Sequence, residues 1–311
     1  MRGFGQHSHL LSGIPATSAA GWLATLGLLG LCANRGETEP PTLRWGEERI
    51  GWPVPVLSCQ YDEKSLVSLV VGVLHELPRW TTCDHWSKLS LTGDSAVAMA
   101  ARVGIRDEFR SSKEGLPGLF CRTSHTAGKV GLTELLGGVT SQVTVKGVVR
   151  RLAKLVDEDD VRSTLFGPWR PKFVAQGASL GLDWMTVSDG SRAGGKAGSL
   201  PSRDLLALLG STWIPRAPTE GALVWACWSE QMEPAEVSVL ATSRELWRLG
   251  MAVIDQRPSR SRRGRDSLAR TLRAWSVTHV MVGQSTLRST HERSNYRLWP
   301  EAKVLDLRAL R

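Results

Sequence analysis

The stretch Gly21-Trp22-Leu23-Ala24-Thr25-Leu26-Gly27-Leu28-Leu29 carries no charge, and Thr25 is its only hydroxyl. As a helix it would be apolar nearly all round, with no face for water, so it belongs inside a core or a bilayer. Thr17 or Ser18 stands where an N-cap is needed, and Asn34-Arg35-Gly36 supplies the stop. The charge-free run reaches from Ile14 to Ala33 behind Arg2, which superficially reads as a signal peptide or a membrane span. Several details oppose that reading. Pro15, Thr17, Ser18 and Thr25 lower the apolarity, and Leu31 precedes Cys32 where a lipoprotein cleavage site needs a small residue. The small-residue pattern of secretion is also missing around Asn34-Arg35-Gly36. The expectation is a buried helix in a soluble, cytoplasmic protein.

Outward from this helix, Thr42-Leu43-Arg44-Trp45 and Val54-Pro55-Val56-Leu57 read as short strands, the prolines placing the second at an edge. Asp62 opens a helix over Glu63 to Leu77, whose Leu66, Leu69, Val70, Val73, Leu74 and Leu77 recur at helical spacing before Pro78. Further helices are expected over Ser95 to Val103 and Val145 to Val156. The acids Asp157 to Asp160 suit the start of a helix through Phe166 better than a metal site, because consecutive side chains on a helix diverge. Leu180 to Val187 reads as a strand, Ser188 to Pro201 as a loop, and Arg203-Asp204-Leu205-Leu206-Ala207-Leu208-Leu209-Gly210 as a helix echoing the first. Val224 to Trp228, Met251 to Ile254 and Val277 to Val282 read as strands, with helices near Ala241 to Leu249 and Ser267 to Trp275. The expected fold is α+β, mixed helices with short antiparallel sheets in two loosely defined halves, 1–140 and 141–311.

Composition is globular: hydrophobic residues are 41% of the chain and charged residues 22%. The five cysteines, Cys32, Cys59, Cys83, Cys121 and Cys227, lie 24 or more residues apart. That spacing argues for reduced thiols rather than a disulfide framework or a zinc cage. His7-x-His9 and Cys83-Asp84-His85 are too few to complete a tetrahedral site. Gly190-Ser191-Arg192-Ala193-Gly194-Gly195-Lys196-Ala197 meets the glycine and lysine part of a phosphate-cradling loop. It fails at Ala197, which has no hydroxyl for Mg²⁺, and at Pro201, which delays the helix. Arg192 and Lys196 remain candidates to touch a phosphate backbone. No hydrolase elbow or activated nucleophile is evident, so no catalytic residue, metal or cofactor is expected.

The charge is unevenly placed. Residues 257–311 hold 13 Lys and Arg against 4 acids, so the whole net charge of +9 lies there, above a body that balances at 26 of each sign. The density peaks at Arg257, Arg260, Arg262, Arg263 and Arg265, continuing through Arg270 and Arg273, in what reads as a connection or hairpin tip. Clustered arginine fits a polyanion, because the planar guanidinium donates two parallel hydrogen bonds to phosphate. A solvated loop or an acidic membrane surface would need the same composition. The helix Val145 to Val156 adds Lys146, Arg150 and Lys154 at every fourth residue on one face, with Arg151 beside them. Such a stripe suits a phosphate backbone, although a plain solvated helix face is the commoner fate of a charge run.

Two groups of blocks carry a resemblance. One is Leu10-Leu11-Ser12-Gly13-Ile14-Pro15, then Gly21 to Leu29, Leu43-Arg44-Trp45 and Pro55-Val56-Leu57. The other runs from Val149-Arg150-Arg151-Leu152 through Leu165-Phe166-Gly167-Pro168-Trp169 and Leu182-Asp183-Trp184 to Leu205-Leu206-Ala207-Leu208-Leu209, ending near Ile214-Pro215. In order and approximate spacing they resemble the type I-G (formerly I-U) CRISPR-associated proteins, which include large-subunit-like components of Cascade-type effector complexes. Residues 60–140 fall outside the resemblance, and the matching blocks are scaffold. The resemblance implies a non-enzymatic subunit that holds CRISPR RNA, target DNA and neighbouring subunits, at the end that reads the motif flanking the target. Some relatives are extensions of the CRISPR helicase-nuclease, which implies that enzyme as a further partner. The competing expectation is an interaction protein whose basic tail binds an acidic partner.

Overall fold

The computed structural model describes residues 6–33, 39–49, 52–80, 145–168, 170–175, 196–211, 222–255, 262–284, 286–289, 295–298 and 302–309. In chain order the elements are β1 (His7–Leu10), α1 (Ala19–Ala33), β2 (Thr42–Arg49), β3 (Trp52–Cys59), α2 (Glu63–Trp80), α3 (Val145–Ala153), α4 (Glu158–Phe166), β4 (Lys172–Ala175) and β5 (Lys196–Ser199). They continue with α5 (Pro201–Ser211), β6 (Ala222–Trp228), α6 (Pro234–Ala241), α7 (Arg244–Asp255), α8 (Arg262–Ala274), β7 (Val277–Gln284), β8 (Thr286–Ser289), β9 (Asn295–Leu298) and β10 (Lys303–Asp306). The fold is α+β, as the sequence predicts.

Helix α1 is the centre of the core. Ser18 Oγ accepts the Gly21 N–H at 3.0 Å, capping the helix where the sequence calls for it. Every residue from Ala19 to Cys32 is buried, and Thr25 meets its polar requirement by donating to the Gly21 carbonyl at 3.0 Å. Among the described residues no helix is long and apolar enough to cross a membrane. The partner that buries α1 is α5, whose sequence echoes it, and the two backbones touch at Gly27 and Gly210.

Tryptophan joins this helical centre to the sheets. Trp22 Nε1–H donates to the Ala226 carbonyl at 3.1 Å, Trp225 to Ala16 at 2.9 Å and Trp228 to Leu43 at 2.8 Å. Each indole buries a large apolar area while its single donor is satisfied by a backbone acceptor far away in sequence. Trp45 and Trp228 meet edge to face, with ring centroids 6.3 Å apart, beside the Leu43–Met232 bridge between β2 and the segment that follows β6.

Both larger sheets are antiparallel, with strand orders β1-β3-β2 and β10-β7-β6. The expected edge strand is therefore central. β1 pairs with Val56 to Cys59, so Pro53 and Pro55 lie beyond its last pair, where β2 is the only ladder neighbour of β3 among the described residues. The missing N–H groups cost no ladder bond there, and the strand is an edge only along its proline half.

Other expectations shift for similar tertiary reasons. α2 runs through Pro78 to Trp80, because a proline in the last turn forfeits one hydrogen bond without ending the helix. Met251 to Ile254 is helical, completing the amphipathic α7 that packs on β6 and β7; Gly250 sits so close that an added Cβ would meet Val224 Cγ2 at 2.6 Å. Packing of the Leu246 and Leu249 face outweighs the β propensity of a four-residue run. Lys196 to Ser199, expected in a loop, forms β5 against β4. The expected helix over 95–103 and strand over 180–187 lie outside the described residues.

The acids before α4 divide their work. Asp157 is the N-cap, accepting from Asp160 N at 2.7 Å, and pairs with Lys172 at 2.6 Å. Asp160 turns inward at 2% exposure, where one carboxylate oxygen accepts the Ser202 N–H at 2.9 Å at the start of α5 and the other has no partner among the described residues. Burial pushes this carboxyl up to about 6, against the opposing pull of Ser202. Its unfolded value is about 3.9, so the native state binds the proton more tightly. The resulting stability is complete below about pH 4 and is lost as pH rises through about 6. Asp160→Asn removes this group's titration. In urea unfolding, the stability of the parent relative to D160N should drop by about 2 kcal/mol between about pH 4.5 and 7; a constant difference would contradict the inward, desolvated carboxyl.

Candidate functional site

Cations converge where the C-terminal part of α2 faces α3. His75 and Pro78 from α2, with Arg150, Arg151, Ala153 and Lys154 from α3 and the turn after it, line an open cleft of about 660 Å³. The local sequence dictates this arrangement. Val149 and Leu152 are 0% exposed and Ala153 is 4% exposed, so the helix is seated by its apolar residues and Arg150, Arg151 and Lys154 are left outward. His75 Nε2 lies 2.8 Å from the Val156 carbonyl oxygen. A carbonyl can only accept, so Nε2 carries the proton and the ring is tied to the turn beyond α3. No acidic side chain is among the described lining residues. Three positive charges along one concave wall focus a positive potential that draws an anion.

A second basic surface lies on α8. Ala269 and Leu272 are fully buried, while Arg265 and Arg270 are exposed beside Asp266 and Thr271. Arg262 and Arg263 occupy the first turn of the same helix, so this part of the arginine run is helical rather than a connection or hairpin tip. The buried Ala269 and Leu272, three apart, supply the apolar stripe that makes the segment a helix despite its charge. Cations in a first turn oppose the helix dipole by a few tenths of a kcal/mol each, a cost that a bound anion relieves. Arg273 is half-buried.

Of the sequence candidates, the structure brings Arg150 and Lys154 into the cleft and leaves Arg265 and Arg270 on the α8 surface. Lys146 lies in the first turn of α3 and Lys196 in β5. Arg192, Arg257 and Arg260 lie outside the described residues. His75 is an addition, and Arg151, already noted beside the stripe, joins it in the cleft. Arg151 is legible as an exposed neighbour of Arg150, whereas His75 is joined to α3 only by tertiary packing.

Two buried polar groups also escape the sequence. Arg203 and Asp204, 1% and 0% exposed, form an ion pair at 3.0 Å, and Ser199 Oγ donates to Asp204 at 2.9 Å. A buried pair of this kind is matched internally and has a structural role. His9, Cys32 and Cys59 gather at the β1–β3 edge of α1. Among the described residues no group of three or more His, Cys, Asp or Glu side chains is arranged to hold a metal ion. Compared with known proteins, the chain matches no family model, no curated protein sequence and no solved structure.

Proposed function

We propose that this chain is a non-catalytic, nucleic-acid-binding subunit of a type I CRISPR RNA-guided surveillance complex, acting in the cytoplasm and contacting the backbone of CRISPR RNA or target DNA. The observation that carries the nucleic-acid reading is the convergence of Arg150, Arg151 and Lys154 beside His75 in one cleft. The arginine face of α8 offers further phosphate contacts. The assignment to a CRISPR complex rests on the sequence blocks named above. Cations that track phosphate give affinity with little base preference, and in guided complexes base pairing supplies the sequence while protein reads shape and a short flanking motif. The balanced charge of the remaining body leaves other surfaces for neighbouring subunits, including the CRISPR helicase-nuclease.

Arg265 and Arg270 provide the first test, because both are exposed and their replacement leaves the core intact. In a salt titration with duplex DNA and with single-stranded RNA, R265A/R270A should lower the slope of log K against log salt by roughly 0.7–0.9 for each phosphate that is no longer neutralised. An unchanged slope removes α8 from the interface. If the parent binds neither polymer but captures polyglutamate, the basic surfaces serve an acidic protein partner instead.

A further inference from the structure

Antiparallel pairing sets His7 opposite Cys59 and His9 opposite Leu57, so both histidines share one face of the sheet with Cys59. His9 Nε2 and Cys59 Sγ converge on the same carbonyl oxygen, that of Tyr61, at 2.7 and 3.7 Å. The Cys59 thiol is also hydrogen-bonded to the His9 ring and to Cys32, which arrives from the last turn of α1. Both sulfurs have 0% exposure and His9 has 8%. None of the three lines the basic cleft.

Two thiols in contact with an imidazole are more than a packing solution. The hydrogen bond from Cys32, aided by His9, holds the Cys59 thiol down to about 5 although burial opposes it, and the bond to Cys59 raises His9 in turn. The other titratable groups facing the pair are His7, across from Cys59 on β1, and Glu63 at the start of α2, whose carboxylate favours protonated His9. At neutral pH the Cys59 thiol is therefore ionised, and His9 holds its proton to higher pH than a free imidazole does. Cys227, equally buried on β6, shows the contrast, since burial alone pushes its thiol far above the ordinary value.

We propose that Cys32 and Cys59 are a redox-active dithiol, oxidised by hydrogen peroxide to a disulfide that ties α1 to β3, with His9 as the proton donor. The Cys59 thiolate attacks one peroxide oxygen, the O–O bond breaks, and Cys59 becomes a sulfenic acid. The departing hydroxide takes the His9 proton and leaves as water. The Cys32 sulfur then attacks the Cys59 sulfur, the S–O bond breaks, and hydroxyl and the Cys32 proton leave as a second water. Two thiols lose two electrons to one peroxide, which is reduced to two waters. Both sulfurs are buried at rest, so the oxidant enters through a local opening of the fold, and peroxide, little larger than water, needs a smaller opening than a bulky disulfide does.

The full chain, reduced and freed of thiol, is treated with hydrogen peroxide across the range from about pH 6 to 8.5, denatured, alkylated and mapped by mass spectrometry without reduction. The expected result is a peptide pair joined through Cys32 and Cys59, appearing before Cys227 is modified. Its rate should not rise across that range as an ordinary thiol's does, because an already ionised thiol gains nothing from higher pH, and a fall at the alkaline end marks loss of the His9 proton. His9→Gln should slow the joining at neutral pH on the order of ten-fold through loss of the proton donor. Recovery of Cys32 and Cys59 both alkylated, or of Cys59 as sulfinic acid with Cys32 free, overturns the proposal. Should H9Q fail to fold, the parent's profile decides: a rate climbing toward an ordinary thiol value near about 8.5 also overturns it.

Discussion

Gly210→Ala is expected to leave little folded protein. A Cβ on Gly210 would sit 2.7 Å from the Leu23 carbonyl carbon, 2.9 Å from Gly27 N and closer still to the Leu23 oxygen. These are backbone atoms inside a helix, so no rotamer change relieves the clash and α1 must move away from α5. Both helices are buried along almost their whole length, and their separation opens gaps along rows of leucines on each side. The cost should exceed about 4 kcal/mol, a large share of the 5–15 kcal/mol typical of a domain. Gly72 gives the internal comparison. It is exposed in α2 with nothing within 4 Å of an added Cβ, so Gly72→Ala should gain up to about 1 kcal/mol from helix propensity. Urea unfolding and soluble yield measure both variants, and a G210A chain as stable as the parent would show that the Gly27–Gly210 crossing does not set the distance between the helices.

That crossing marks the boundary of what the sequence declares. The apolarity of Gly21 to Leu29 already requires burial, and the similar run ending at Gly210 requires the same. Neither run says that the other is its partner, because helix–helix recognition here lies in the removal of two side chains, and a glycine in an apolar run has many other readings. Periodicity is local, so α2, α5, β6 and β7 are legible, whereas the central place of β3 depends on where β1 stops pairing. The helical fate of Met251 to Ile254 likewise depends on a sheet assembled from residues before and after it.

The candidate site divides in the same way. Arg150 and Lys154 are readable as an outward basic stripe because Val149 and Leu152 mark the buried side. Their meeting with His75 rests on α2 packing against α3, which composition cannot show. His9 and Cys59 are fifty residues apart and meet through strand register. Ligand spacing along the chain cannot reveal such a pair, because the register that joins it exists only in the folded sheet.

Replacing Arg150, Arg151 and Lys154 together by alanine should reduce affinity for a nucleic-acid backbone on the order of 10²-fold near 0.1 M salt, because each phosphate contact releases about 0.9 of a counterion from duplex DNA. The three substitutions should flatten the slope of log K against log salt by up to roughly 2.7 for duplex, and by about 2 for a single strand. Stability should change by no more than about 0.5 kcal/mol per site, since all three side chains are exposed, Arg150 and Arg151 on a helix that alanine suits and Lys154 in the turn after it. Arg203 provides the contrast. That arginine is buried against Asp204, so its loss would unfold the α5 junction and weaken binding without altering the salt slope of the fraction that remains folded. A cleft that serves phosphate loses slope and affinity together at constant stability. If the triple variant keeps the parent's slope, Arg150, Arg151 and Lys154 are an ordinary solvated face and the nucleic-acid reading of this cleft fails.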